Sequence, residues 1–140
     1  MSTDCIFCKI VSKNAPAGIL FENELVMSFL DIRPVNEGHS LVIPKEHVQY
    51  VEGISSEEIF LELFKVGKKI QLLLKEKIPG ITGFNYLIAN GEDAGQEVFH
   101  VHLHIIPRKE NDGFGFKFGP NFGKISTLDE ITAIRKKILS

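Results

Sequence analysis

HVHLHIIPR, residues 100–108, carries three of the five histidines in the chain, each two residues from the next. Val101, Leu103, Ile105 and Ile106 favour an extended backbone, and the alternation of apolar with polar residues has the period of a strand. Successive strand side chains point to opposite faces, so His100, His102 and His104 share one face and Val101, Leu103 and Ile105 the other. Neighbouring histidine Cα atoms then lie roughly 6.6 Å apart, from a rise of ~3.3 Å per residue. The apolar face reads as the core side, and Pro107, which lacks an N–H, as the strand's end. A row of imidazoles on a rigid strand can bind metal, do catalysis or be a plain solvated face. Strict alternation of three favours the first two readings.

Working outward, VFHVHLHIIP (98–107) is the last strand, and GFNYLIANG (83–91) is a strand running into a Gly turn. Upstream, Ser55 and Glu58 are spaced as a capping box. Ile59, Leu63, Val66, Ile70 and Leu73 follow as the apolar stripe of a long helix that Pro79-Gly80 stops. GILFENELVMSFLDI (18–32) reads as two strands joined near Glu22-Asn23-Glu24, and HSLVIP (39–44) as a third. Residues 5–13 form a short helix, and Thr127 with Glu130 caps a terminal helix over roughly 128–139. Local hairpins with one long crossing helix predict an α+β fold: a mainly antiparallel sheet of about five strands, a crossing helix and a C-terminal helix. The Gly- and Phe-rich NDGFGFKFGPNFGK (111–124) has no regular period and fits a loop over a site, a contact arm or a linker.

At 140 residues the chain is expected to be a single domain, 1–140, long enough to bury its own core. A net charge of −2 supplies no broad basic field, so a nucleic-acid partner is not expected. The N-terminal MSTDCIFCKI lacks a basic region followed by a long apolar run, and no stretch is long and apolar enough for a membrane span; the expectation is a cytoplasmic protein. Cys5 and Cys8, the only cysteines, form a C-x-x-C that reads as a redox pair or half a zinc site. The redox motif would follow a strand, and none precedes Cys5. No G-x-G-x-x-G follows a first strand and no Walker A loop is present, so a nucleotide would be handled by other means.

Two sharp readings of the triad remain. In one, its imidazoles hold a catalytic metal, with Asp93 or Glu97 near enough in sequence to join. In the other, one neutral imidazole is a nucleophile toward phosphorus, oriented through its second nitrogen.

CIFCKI, FLDIRPVNEGHSLVIPKEH and NGEDAGQEVFHVHLHIIPR, in this order and at this spacing, resemble the histidine triad superfamily, in particular the short bacterial-style members of its nucleotide-binding branch. The resemblance runs from Cys5 to Arg108. It implies a histidine-triad fold and a nucleotidyl hydrolase or transferase acting on purine nucleoside monophosphates that carry a leaving group, such as phosphoramidates and related esters and anhydrides. By resemblance His102 attacks the α-phosphorus, His104 assists the leaving group, and His39 is the further histidine beside the triad. Asp31 takes the ribose hydroxyls, Phe29 walls the base, Asn90 is a phosphate-side amide, Gln96 is a further substrate-binding residue, and the backbone at Glu97 and Val98 cradles the phosphate. Relatives with C-x-x-C hold a structural zinc, which here implies Cys5, Cys8, His47 and His100 as ligands, with no catalytic cofactor. A homodimer is implied as well. Glu97 departs from the pattern, since relatives usually carry Ser or Thr there; the side chain either influences leaving-group choice or points to solvent. Competing readings are a dinucleoside polyphosphate hydrolase, a metal-dependent hydrolase built on the triad, and a nucleotide-binding interaction protein with little turnover.

Overall fold

The computed structural model describes residues 4–140; residues 1–3, part of the N-terminal stretch read for a leader, lie outside it. Five strands form one antiparallel sheet: β1 (Ile19–Glu22), β2 (Val26–Leu30), β3 (Ser40–Pro44), β4 (Gly83–Leu87) and β5 (Leu103–Arg108). Their order is β1-β2-β3-β5-β4, so the histidine strand is an inner one. The helices are α1 (Ile6–Val11), α2 (Glu57–Lys77) and α3 (Leu128–Leu139). The α+β architecture expected from the pattern of elements is therefore the one observed. No helix among the described residues is long and apolar enough to cross a membrane.

Strand alternation builds a core on each face of the sheet. Val26, Val42, Leu103 and Ile105 pack under α2 against Leu63, Val66, Ile70 and Leu74. Met27, Phe29, Leu41 and Ile43 face the other way and are covered by Cys5, Phe7, Cys8 and Ile10 of the α1 segment. The histidine face is thus not the solvated side of the sheet: it looks into the layer that α1 roofs. Leu41 and Leu87 flank His104 in register, which fixes that residue laterally.

Several local expectations shift. The N-cap of α2 is Ser56, whose hydroxyl accepts the Ile59 N–H, while Ser55 donates its own N–H and O–H to Glu46. The helix starts one residue later than a Ser55 box implies, because Glu46 draws Ser55 away. Its buried stripe ends on Leu74 instead of Leu73, which is 38% exposed. Gly67 completes that stripe: a Cβ there would lie 3.1 Å from Ile105 Cδ1 and 3.2 Å from Leu103 Cδ2, so its absence lets α2 close on β5. β5 begins at Leu103, not Val98. Residues 98–102 leave the ladder; the Val101 N–H donates to Val48 O instead. Pro107 sits within β5 opposite Phe84, past the end of the β3 pairing, and its carbonyl accepts from Asn36. The terminal helix matches its expected bounds, with the Thr127–Glu130 capping box formed. The segment before it is pinned by Asp112, which accepts from Arg108 Nε at 2.8 Å and from Asn36 Nδ2 at 2.8 Å. The Arg108 guanidinium holds the Asp112 carboxyl well below the usual carboxylate range.

Gly38 delivers the chain to β3 with φ +92, and a Cβ there would fall 2.6 Å from Ile78 Cδ1 and 2.9 Å from Leu74 Cδ2. Gly38→Ala is expected to cost about 1–3 kcal/mol, from left-handed strain plus crowding of the end of α2. Urea unfolding should show the midpoint fall at unchanged slope. An unaltered midpoint would mean that the turn adapts.

Candidate active site and metal centre

An imidazole has two nitrogens, and when neutral it is a donor at one and an acceptor at the other. Backbone groups commit one nitrogen each of His102 and His39, and His39 in turn commits one of His104. His102 lies 2.8 Å from the His100 carbonyl through Nδ1. A carbonyl can only accept, so Nδ1 carries the proton and Nε2 carries a lone pair. His39 Nδ1 accepts the Val35 N–H at 3.0 Å, which places the His39 proton on Nε2. That Nε2–H meets His104 Nδ1 at 2.9 Å and donates to it, so the His104 proton is left on Nε2. The chain thus prepares one bare nitrogen on His102 and one N–H on the adjacent His104, their ring centroids 4.9 Å apart.

All three rings are neutral at pH 7. Burial lowers the affinity of His104 for a second proton to a pKa of about 4, helped by the neighbouring His102 and His39. Burial likewise depresses His102 and His39, against a partial offset from the His100 carbonyl and the Asp31 carboxylate at His102 and from Asp31 at His39. Asp31 is set by its N–H donating to the His39 carbonyl and by an Asx turn in which Oδ1 accepts the Arg33 N–H. Its Oδ2 stands 3.5 Å from His39 Nε2 and 4.0 Å from His104 Nδ1.

These groups open on a cavity of about 500 Å³, within the range of small-molecule sites. Phe7, Phe29, Asp31, Val98, His102 and His104 line it. Of the residues singled out from sequence, Phe29, Asp31, Glu97, Val98, His102 and His104 meet there; His39 stands behind His104. Asn90 and Gln96 do not line the cavity. The Asn90 amide is engaged by the Val51 N–H and the Glu52 carboxylate. The buried Gln96 accepts the Gly91 N–H and donates to the carbonyls of Gln49 and Val98. Glu97 reaches the cavity mouth, where Arg33 Nη2 donates to it at 2.7 Å. Phe7 and Arg33 are additions to the sequence reading. Phe7 lies inside the C-x-x-C, which marked it as a spacer, and Arg33 is 64 residues from its partner.

His100 diverges from the other two. Its Nε2–H donates to the Pro44 carbonyl at 2.8 Å, leaving the Nδ1 lone pair aimed at the thiols. Nδ1 lies 3.4 Å from Cys5 Sγ and 3.6 Å from Cys8 Sγ, and His47 Nδ1 lies 3.2 Å from Cys8 Sγ. Together the four donor atoms lie within 4.8 Å of one another, and no disulfide joins the two cysteines. A zinc tetrahedron built from ordinary Zn–S and Zn–N bonds has edges of about 3.3–3.8 Å, so donor set and spacing both fit such an ion. Asp31, His39 and His104 also cluster. There a metal on His39 Nε2 would have to displace the proton to Nδ1, which already accepts the Val35 N–H.

Comparison with known proteins agrees with this geometry. A HIT domain family model matches residues 12–111. Adenosine 5'-monophosphoramidase hnt1 of Schizosaccharomyces pombe is 41% identical over 136 residues, covering 97% of this chain and 96% of its own. The crystal structure of a HIT family protein from Bacillus anthracis superposes with a TM-score of 0.86 at 41% identity, covering 99% of this chain and 97% of that one. A zinc-bound histidine triad family protein from Mycobacterium smegmatis superposes at 0.76 with 39% identity, over 86% of each chain. With a match across most of its length and a fold shared end to end, the chain belongs to the HIT domain family.

Proposed function

We propose that this protein is a nucleotidyl hydrolase that cleaves purine nucleoside phosphoramidates, and related nucleoside monophosphate esters and anhydrides, through a nucleotidyl-histidine on His102. The observation that carries this reading is the 2.8 Å bond from His102 Nδ1 to the His100 carbonyl, which leaves Nε2 unprotonated at the cavity beside an N–H of His104. The relative named adenosine 5'-monophosphoramidase lends the substrate class.

In the first half-reaction His102 Nε2 forms a bond to the α-phosphorus. The P–N bond breaks with its electron pair on the amine, which takes a proton from water. The phosphorylated ring is cationic, and the His100 carbonyl dipole already points at its Nδ1–H, so no reorganisation is needed to stabilise it. His104 Nε2–H donates a hydrogen bond at the reacting group, its direction held by His39 and the Val35 N–H. In the second half-reaction water attacks phosphorus and gives a proton to the hydroxide left by the first step, the P–N bond to His102 breaks, Nε2 recovers its lone pair and the monophosphate leaves. Asp31 takes the ribose hydroxyls, Phe29 walls the base, and the backbone at Glu97 and Val98 faces the phosphate. Asn90 and Gln96 serve by holding the loop that carries these two residues.

Cys5, Cys8, His47 and His100 would hold zinc, which when bound supplies structural cross-linking of α1 to the chain before β5. Of the triad only His100 faces those thiols, which weighs against a catalytic metal on His102 and His104. The reading includes a homodimer, supported by the open edge of β4 and by Leu61 and Leu72, 51% and 59% exposed on α2. It also includes a cytoplasmic location, in keeping with two cysteines used as metal ligands.

His102→Ala is expected to abolish hydrolysis of an AMP phosphoramidate while AMP affinity stays within about threefold, because ribose and base contacts remain. Single-turnover mass spectrometry should find the adenylyl adduct on wild type alone; near wild-type turnover by the variant would refute the reading. Elemental analysis is expected to return one zinc per chain in wild type and to lose it in Cys5→Ser; full zinc in that variant would refute the ligand set. Stability should also depend on pH. An unfolded histidine binds its proton near 6.5, whereas folded His104 binds it only at about 4. Between these values the unfolded chain holds more protons, so stability is full above the upper value and declines as pH falls toward the lower. The urea midpoint should drop between about pH 7 and pH 5, and drop less in His104→Gln. Equal slopes in the two proteins would contradict the assignment.

A further inference from the structure

His102 is held from two sides, and both holds lead back to the metal cluster. The first is the carbonyl of His100, whose own ring belongs to the cluster. The second is Phe7, which meets the His102 ring edge-on, with centroids 5.1 Å apart and an interplanar angle of 80°. Phe7 is 7% exposed and also contacts His100 at 5.8 Å and Phe29 at 5.4 Å between centroids. It stands on α1 between Cys5 and Cys8, so two cluster residues flank it within one helical turn.

α1 has six residues, too few to persist as a helix without tertiary anchors. Its anchors are Phe7 and Ile10 in the core and the cluster itself, where Cys5 Sγ also caps the helix by accepting the Cys8 N–H at 3.4 Å. A thiolate bound to a metal is fixed in place and remains an acceptor for that N–H. The same helix roofs the cavity with Ile6, Phe7 and Ile10. An event at the cluster is therefore felt at the nucleophile through one side chain and one carbonyl.

We propose that metal occupancy of the Cys5, Cys8, His47 and His100 cluster regulates the catalytic site, with Phe7 as the positioning residue that transmits it. With the metal bound, α1 is tied to the segment before β5, and the Phe7 edge and the His100 carbonyl confine the His102 ring to one orientation and one tautomer. Without it, α1 loosens, both restraints relax together and Nε2 is no longer held toward the substrate. The catalytic consequence rests on the reading of His102 as nucleophile; the restraint on its ring does not.

The full chain is compared in four states, wild type and Phe7→Leu, each zinc-loaded and after dialysis against a chelator, with metal content checked by elemental analysis. One readout is the pair of ring ¹⁵N signals of His102, which report the tautomer. The other is the single-turnover rate of adenylyl-histidine formation from an AMP phosphoramidate, with AMP affinity measured alongside. Loaded wild type should show one tautomer protonated at Nδ1. Metal removal or Phe7→Leu should each mix tautomers and slow adduct formation about tenfold, as expected for a reacting atom displaced by a fraction of an ångström, while AMP affinity moves less. The two changes combined should fall well short of the product of their separate effects, since they act through one ring. A stripped wild type that keeps both tautomer and rate, or two losses that multiply independently, would overturn the coupling. If the stripped chain unfolds, loaded Phe7→Leu decides: zinc retained with mixed tautomers supports the coupling, and zinc retained with the wild-type spectrum overturns it. If no state forms an adduct, the nucleophile reading fails, and the ring signals still decide the coupling by the same criteria.

Discussion

The chemistry of this site depends on one constraint: His39, His100 and His102 each have a nitrogen committed to the backbone, and His39 passes its constraint on to His104. The carbonyl of His100 takes Nδ1–H of His102, the carbonyl of Pro44 takes Nε2–H of His100, and the N–H of Val35 occupies Nδ1 of His39. A carbonyl accepts and an amide donates, so each bond selects a tautomer without ambiguity. What remains is a lone pair on His102, a lone pair on His100 and, through His39, a proton on the outward nitrogen of His104. Three residues of one type acquire three different chemical characters from three different partners. Burial reinforces the selection, because the charged imidazolium that would erase the distinction is disfavoured in all of them.

The fold exists in the form needed to supply those partners. An antiparallel sheet alternates its faces, so the chain can spend Leu103 and Ile105 on the α2 core while His102 and His104 face the α1 layer. His39 and Leu41 share that second face, and the register that sets Leu41 opposite His104 puts His39 diagonally in reach of it. Departure from the ladder matters as much as membership. Because residues 98–102 are not in β5, the His100 carbonyl is not taken by a neighbouring strand and is available to His102. A regular strand across the whole triad would have aligned three equivalent rings; the irregular approach turns His100 to the thiols of Cys5 and Cys8 and leaves His102 and His104 at the cavity.

Sequence pattern carried the elements well and their edges less well. Alternation identified the histidine strand, and the Thr127–Glu130 box set α3, since capping there is local and nothing competes for it. At α2 two serines offered themselves, and the choice of Ser56 was made by Glu46, nine residues upstream of Ser55 and invisible to a local rule. The buried stripe drifted from Leu73 to Leu74 because it is set by contact with β5, not by a fixed spacing. At the site, residue types and spacing pointed to His102, His104, His39 and Asp31, which the fold gathers around one cavity. The tautomers were not legible, since they are decided by Val35, Pro44 and the carbonyl of His100, groups that any residue could supply. Phe7 was hidden for a related reason: a C-x-x-C draws the eye to its cysteines, while the residue between them meets the His102 ring edge-on.

Glu97 shows how a departure from a family pattern can be absorbed. A lone carboxylate at the cavity mouth would repel an incoming anion. Here Arg33 Nη2 donates to it at 2.7 Å, and the local charge is close to zero. Both side chains are largely exposed, 79% for Arg33 and 73% for Glu97, so the pair is worth little in stability and can open at small cost. Arg33 is also held at the mouth by its own backbone, through the Asx turn of Asp31, so the residue that faces the ribose in the proposed mechanism also aims the cation that offsets Glu97. One short loop after β2 thereby places a carboxylate and a cation at the same cavity. The charge at the cavity mouth is accordingly the property of a pair, and neither Arg33 nor Glu97 read singly describes it.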